Sequence, residues 1–458
     1  MYIQQLYTNC LAEAAYYIES NGEAAIIDPL REVEPYLELA QSRNAKIKYI
    51  FETHFHADFV SGHIDLAKLC GAKIVYGPGA KANYEIHAAA DGEIFELGAV
   101  KLKTLHTPGH TLESCCFILI DESGVEQAIF TGDTLFVGDV GRPDLAVKSD
   151  LSREDLAGMM YDSVQKLLTL KDEIVVYPGH GAGSACGKNI GKETSTTIGI
   201  QKKLNYALQP MSKAEFVKAL TDGLTEPPKY FFVDAGINKA GYDSIDSVLE
   251  KNTKRILIEE FRKQVEEGAL IIDTRDPDTF EKEFIPGSIN IGLGGQYAIW
   301  VGSLINHTTP LVLICEKGKE TESVLRLARI GFENVRGILM DGIHAWKNAG
   351  LATDSVDSIN PDEFVKNQGG VKSIIDVRNE GEWNSTGIIK NAHLITLSKL
   401  EDNLKTLDKN EHHFVHCAGG YRSMIASSLL KKHGFNSITN IRGGIGKLKE
   451  AGVTLVSA

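Results

Sequence analysis

Apolar positions in the first 250 residues fall into short runs that close on polar punctuation. The run AAYYIESNGEAAIID alternates around Asn21-Gly22, a pair that accepts the left-handed backbone of a tight turn, so it predicts an antiparallel hairpin. Four more runs, KIKYIFETH, VKLKTLH, QAIFTGD and DEIVVYPGH, read as strands that each end in His or Asp. Past residue 255 the rhythm changes. Short β-rich runs (ALIIDTR, LVLICE, SIIDVR, HFVHCA) alternate with helical patterns such as SVLRLARIG and SMIASSLLKKHG, which predicts parallel α/β units.

The C-terminal half also repeats itself. IIDTRDPDTF from Ile271 returns as IIDVRNEGEW from Ile374, LICEKGKET returns as FVHCAGGYRS, and Gly331-Phe332 returns as Gly434-Phe435, each about 103 residues later. A unit of that size is a domain of its own rather than a solenoid element. The predicted division is therefore 1–255, 256–355 and 356–458. In both copies the cysteine stands where a strand ends and a helix begins.

Length agrees, since 458 residues are too many for one ordinary core. A hydrophobic fraction of 43% with 24% charged is that of a globular chain. The net charge of -13 argues against nucleic acid and anionic membrane as partners, because both would repel it. The N-terminal MYIQQLYTNCLAEAAYYIES has no basic leader and no long apolar run, so neither a signal peptide nor a membrane span is expected. Seven scattered cysteines suit reduced thiols better than a disulfide framework, and a cytoplasmic address follows. A homo-oligomer is compatible with all of this.

Chemistry gathers at the four strand ends. THFHADFVSGH places His54, His56 and Asp58 at alternate positions of an extended segment; His110 follows in TPGH, Asp133 in TGD and His180 in YPGH. Ligands of open α/β sheets collect at the carboxyl ends of strands, so these residues predict one shared metal pocket. The combination resembles the metallo-β-lactamase superfamily over roughly residues 1 to 250, whose general pattern is HxHxDH. Here Phe59 stands in place of the last histidine, which argues against the symmetric two-zinc clamp of the glyoxalase II kind. His63 is a stand-in by type, but its place suits a polar residue opening the next helix.

Within that superfamily GDTLFVGDVGRPDL, from Gly132, resembles the persulfide dioxygenases. The resemblance implies one Fe(II) per chain held by His54, His110 and Asp133, in a fold of two sheets between helices, an αββα sandwich. Two imidazoles and a carboxylate with open positions are also the set expected of a non-haem Fe(II) oxygenase. His56, Asp58 and His180 then orient the ligands from behind. The resemblance puts Arg142 near the pocket, to hold a substrate carboxylate or to pair with Asp144 and fix the loop.

Cys417 opens CAGGYRS, a glycine-rich loop whose backbone N–H groups and following helix N-terminus can cradle an anion and activate a thiol, with Arg422 adding positive charge. With Asp376-Val377-Arg378 ahead of it, this loop resembles the rhodanese sulfurtransferases, whose cysteine carries a sulfane sulfur. The first copy keeps Cys315 but has Glu320 at the arginine position and Glu316 beside the thiol, so it reads as a weakened or structural rhodanese. Cys186, six residues after His180, is close enough in sequence to reach the metal pocket and handle sulfur, while Cys115 and Cys116 read as core.

Together these readings predict an α/β multidomain protein: an αββα sandwich followed by two rhodanese-like domains with parallel sheets. Its expected activity is oxidation of a low-molecular-weight persulfide, such as that of glutathione, with O₂ to sulfite, coupled to sulfur transfer to or from thiosulfate. The alternatives are a zinc-dependent thioester hydrolase of the glyoxalase II type and a non-catalytic sulfur carrier.

Overall fold

The computed structural model describes residues 1–145, 151–224, 226–367 and 371–458. Its chain forms two compact units, one of Met1–Val248 with Ala328–Phe332 and one of Leu249–Leu327 with Glu333–Ala458.

Among the described residues the first unit holds two six-stranded sheets in simple order. One runs β1 (Tyr2–Thr8), β2 (Glu13–Ser20), β3 (Glu23–Ile27), β4 (Lys46–Phe51), β5 (Lys73–Tyr76) and β6 (His87–Ala88). The other runs β7 (Ile94–Leu97), β8 (Val100–His106), β9 (Cys115–Ile120), β10 (Glu126–Gly132), β11 (Val175–Pro178) and β12 (Thr196–Thr197). The predicted hairpin is β2–β3, antiparallel around Asn21 and Gly22, both at positive φ.

Period-two alternation explains the layering. Ala14, Tyr16 and Ile18 of β2 face a core shared with Phe117, Leu119 and Phe130 of the second sheet. Their neighbours Ala15 and Tyr17 face outward, under the helix Glu34–Ser42. The second sheet does the same, with Cys115 in the central core and Cys116 turned to the layer containing Met160 and Val164 of helix Arg153–Leu168. Strands β2, β3 and β9 are thus buried on both faces, which calls for near-continuous apolar runs, whereas β7 alternates exposed and buried positions. The adjacent cysteines, as expected, are core.

The second unit contains two five-stranded parallel sheets. The strands are Arg255–Ile256, Leu270–Asp273, Ile289–Asn290, Leu311–Ile314 and Val335–Leu339 in one, and Asp357–Ile359, Ser373–Asp376, His393–Leu394, His413–His416 and Ile438–Ile441 in the other. Numbered along each copy, both have the order first, fifth, fourth, second, third. The repeat seen in sequence is therefore a repeat of topology. In each copy the cysteine follows the fourth strand and precedes a helix, Glu320–Ala328 or Tyr421–Lys432. No described helix is long and apolar enough to cross a membrane.

Candidate metal centre and thiol sites

The four strand ends converge as the pattern predicted. His54 leaves β4, His110 lies just beyond β8, Asp133 ends β10 and His180 follows β11. All four are buried. One ligand atom from each of His54, His110 and Asp133 lies within 4.8 Å of the others. Tight backbone packing brings them this close. Gly132 has φ +46, and a Cβ on it would come 2.3 Å from Thr53 Oγ1; one on Gly141 would meet the Asp133 carbonyl at 2.0 Å.

Hydrogen bonds fix which atom each ligand offers. His110 Nδ1–H donates to the carbonyl of Arg142 at 2.8 Å, leaving the lone pair on Nε2. Thr53 spends its single hydroxyl proton on Asp28 Oδ2 at 2.8 Å, so its contact with His54 Nδ1 at 3.0 Å must be an acceptance, and the His54 lone pair is again on Nε2. Asp133 Oδ1 accepts from His180 Nδ1 at 2.8 Å. His54 Nε2, His110 Nε2 and Asp133 Oδ2 remain, buried and without hydrogen-bond partners. They stand 3.9 and 3.3 Å apart across the histidine–aspartate pairs. Such buried orphans are costly unless a cation satisfies them, so the donor set fits a metal ion.

Charge supports the same assignment. Burial, then neighbouring His56, pushes the His54 imidazole well below its usual pKa, keeping it neutral. Burial opposes ionisation of Asp133, but His180 and His110 beside it hold the carboxyl well below the usual range.

The remaining residues sit behind this set. His56 turns Nε2 to Asp28 Oδ1 at 3.1 Å and Glu52 Oε2 at 3.4 Å, while its Nδ1 has no hydrogen-bond partner. Phe59 is fully buried and lies against the His56 ring, with centroids 4.3 Å apart. His63 opens the helix His63–Cys70 and contacts Glu52 at 3.4 Å and Tyr84 Oη at 2.7 Å, so it does not replace the missing ligand. Arg142 binds Asp144 through two contacts of 2.6 and 2.8 Å and the Ala185 carbonyl at 3.2 Å, the loop-fixing contacts of its two expected roles. Asp28, Glu52, Thr53 and Asn238 escaped the sequence reading. Asp28 and Glu52 each carried a signal, as an acid at the end of an apolar run; Asn238, whose side chain bonds the carbonyls of His56 and Phe59, carried none.

In the second unit the Cys417 Sγ accepts a hydrogen bond from Gly420 N at 3.0 Å, a geometry that Gly420 reaches at φ +104. Arg422 is held by Glu382 through paired contacts of 2.7 Å. A cleft of about 240 Å³ beside this loop is lined by Asp276, Asp278, Gly419, Gly420, Tyr421 and Arg442, among others. Cys315 differs. Its thiol reaches Ser323 Oγ at 3.4 Å, and burial, with Asp273 and Glu320 adding to it, pushes it up to about 11.

Comparison with known proteins finds family matches in both units. Residues 8–180 match the metallo-beta-lactamase superfamily, and residues 257–349 and 360–451 each match the rhodanese-like domain. The crystal structure of a metallo-beta-lactamase from Staphylococcus aureus is 32% identical with a TM-score of 0.66, over 74% of this chain and 98% of that one. A probable hydroxyacylglutathione hydrolase of Schizosaccharomyces pombe is 36% identical over 34% of this chain and 58% of its own length, so the chain spans little more than half of that relative. The hydroxyacylglutathione hydrolase of Pelagibacter ubique is 31% identical over 37% of this chain and 68% of its own. With its histidines and aspartate at the strand ends of a two-sheet sandwich and its paired cysteine loops, the chain belongs to the metallo-β-lactamase superfamily and carries two rhodanese-like domains.

Proposed function

We propose that the protein is a non-haem Fe(II) persulfide dioxygenase coupled to a rhodanese sulfurtransferase. The observation that carries this reading is the set of three orphaned ligand atoms, two imidazole nitrogens and one carboxylate oxygen, with Phe59 where a further histidine would complete a second hydrolytic metal site. The overall conversion takes a low-molecular-weight persulfide, O₂ and water to a thiol, sulfite and two protons. Fe(II), when bound by His54, His110 and Asp133, supplies the redox chemistry that joins oxygen to the terminal sulfur.

The chain's own residues do the rest. Arg142 carbonyl and Thr53 hydroxyl set the tautomers of His110 and His54, and His180 orients Asp133. In the second unit, Gly420 N steadies the Cys417 sulfur, which passes a sulfane sulfur between persulfide, sulfite and thiosulfate. Cys315 takes little part, because its thiol stays neutral at physiological pH. The seven cysteines are free thiols, in keeping with a cytoplasmic setting.

A zinc thioester hydrolase is the second reading. It is favoured by the similarity to hydroxyacylglutathione hydrolases and by His56 Nδ1, which also lacks a hydrogen-bond partner and would complete a three-histidine set. One experiment separates the two: metal analysis of the purified protein with an oxygen electrode and a panel of persulfides. Iron with persulfide-dependent oxygen uptake, lost in Asp133→Ala while thiosulfate-linked transfer persists, is expected. Zinc with thioester cleavage and no oxygen uptake overturns the dioxygenase reading.

A further inference from the structure

The first rhodanese-like repeat builds part of the wall around the cysteine loop of the second. Tyr421, in the CAGGYRS loop, donates its hydroxyl hydrogen to the carbonyl of Gly292 at 2.7 Å, and its ring packs so closely on Gly295 that a Cβ there would come 2.5 Å from its Cζ. Arg442, after the strand Ile438–Ile441, pairs with Glu281 of the first repeat. The cleft of about 240 Å³ beside Cys417 therefore has two sides, with Gly419, Gly420, Tyr421 and Arg442 from the second repeat facing Asp276 and Asp278 from the first.

The charges of this cleft are unequal. Arg442 is the one cation among the lining residues, and Glu281 already pairs with it. Arg422, which follows Tyr421, is likewise committed to Glu382 through two contacts of 2.7 Å. Asp276 accepts from Asp278 N at 2.9 Å with one oxygen, which leaves its charge in place, and Asp278 shares Arg442 with Glu281. Three carboxylates thus surround one guanidinium. A sulfite or thiosulfate dianion meets net repulsion in such a cleft, whereas an ammonium group meets attraction. The cleft is also smaller than the roughly 300–1,000 Å³ of drug-sized ligand sites, so its occupant is small.

We propose that Asp276 and Asp278 select the sulfur carrier that exchanges at Cys417: a small thiol, or its persulfide, that bears an ammonium group, as cysteine and cysteamine do. This rests on the sulfur-transfer reading above and specifies its carrier. In the step, the carrier thiolate attacks the outer sulfur of the Cys417 persulfide. A sulfur–sulfur bond forms to the carrier, the bond to Cys417 breaks, and Cys417 leaves as a thiolate beside Gly420 N. The outer sulfur keeps its proton, and no outside oxidant or reductant is needed. The reverse step loads Cys417 from the carrier persulfide. The first repeat then serves the reaction through its carboxylates and not through Cys315.

The test is single-turnover transfer under nitrogen from the full-length protein, loaded with sulfane sulfur by thiosulfate and freed of excess, to cysteamine, mercaptoethanol and mercaptopropionate at low salt. Rates are compared per thiolate, and the sulfane sulfur left on the protein is read by cyanolysis. The expected order is cysteamine, then mercaptoethanol, then mercaptopropionate. Replacing both carboxylates, Asp276→Asn with Asp278→Asn, should lower the second-order rate for cysteamine about fivefold, the scale of exposed ion pairs, and leave that for mercaptoethanol within about twofold. Asparagine keeps the oxygen that caps the helix Pro277–Phe280, so the neutral thiol also reports that this wall is intact. Asp278→Lys should move the preference toward mercaptopropionate. Equal rates for cysteamine and mercaptoethanol in the parent, or a parallel loss with all three thiols in the double variant, overturn the proposal and leave sulfur transfer at Cys417 standing. Transfer to none of the thiols, or transfer that survives Cys417→Ser, overturns the sulfurtransferase reading and the proposal with it.

Discussion

The two rhodanese-like repeats share a strand order and differ in the loop after the fourth strand. In both, a buried carboxylate at the end of the second strand grips the arginine two residues on: Arg275 Nη2 lies 2.6 Å from Asp273 and Arg378 Nη2 2.6 Å from Asp376. In both, that arginine also donates to a backbone carbonyl beyond, of Glu283 or Gly387. The clamp is therefore part of the scaffold. What separates the copies is six residues of loop. One offers its sulfur a backbone N–H from a glycine in left-handed conformation; in the other the thiol donates to Ser323 Oγ and feels the carboxylates of Asp273 and Glu320. The surroundings of the thiol thus differ between copies while what holds the fold together does not.

The sharpest way to break this contrast is to remove the sulfurs. Cys417→Ser should lower thiosulfate-linked sulfur transfer by about 1,000-fold or more, and Cys315→Ser should leave it within about twofold. Equal losses, measured by thiocyanate formation, would show that the first copy also carries sulfur. Next in size is the clamp. Asp376→Ala strands a buried guanidinium, and Asp273→Ala does the same in the first copy, so each should cost about 3–5 kcal/mol of stability in its own repeat by denaturant unfolding. A much smaller loss for Asp273 would mean that the first copy has begun to lose its scaffold too. The mildest effect is on reactivity. Because the Cys315 thiol is raised to about 11, its thiolate fraction, and with it the iodoacetamide alkylation rate followed by peptide mapping, should climb about tenfold per pH unit from about pH 7 to 10. A rate that levels off below about pH 9 would place the thiol in the ordinary range.

Much of this architecture could be read from the chain because it is local. Strand ends carrying His110, Asp133 and His180 announce themselves by an apolar run followed by Gly and a ligand, that carrying His54 by an apolar run followed by His-x-His, and the duplicated cysteine loops by their offset. What stayed hidden depends on residues far apart. Arg422 was expected to lend its charge to Cys417 and does interact with it electrostatically, but that Glu382, 40 positions earlier, holds it by both nitrogens could not be read. The tautomer of His54 rests on Asp28 acting through Thr53, a chain of two hydrogen bonds that no spacing encodes. Cys186 was legible as near the pocket but not as the third corner of a group with Asp58 and His180, since that requires the fold of the loop after β11.

Asn238, on the helix Phe231–Ala240, has a bearing on how the protein is made. Its side chain ties down the segment bearing His56 and Phe59 across 182 and 179 residues of intervening chain, and it receives the amide of Ser61 as well. A ribosome adding about 5–20 residues per second exposes that segment many seconds before its fastener is synthesised. Until then the carbonyls of His56 and Phe59 lack this tie, although Asp28, Pro29 and Glu113 already hold the ends of the loop, and a fragment ending at residue 180, where the superfamily match stops, would lack the fastener altogether.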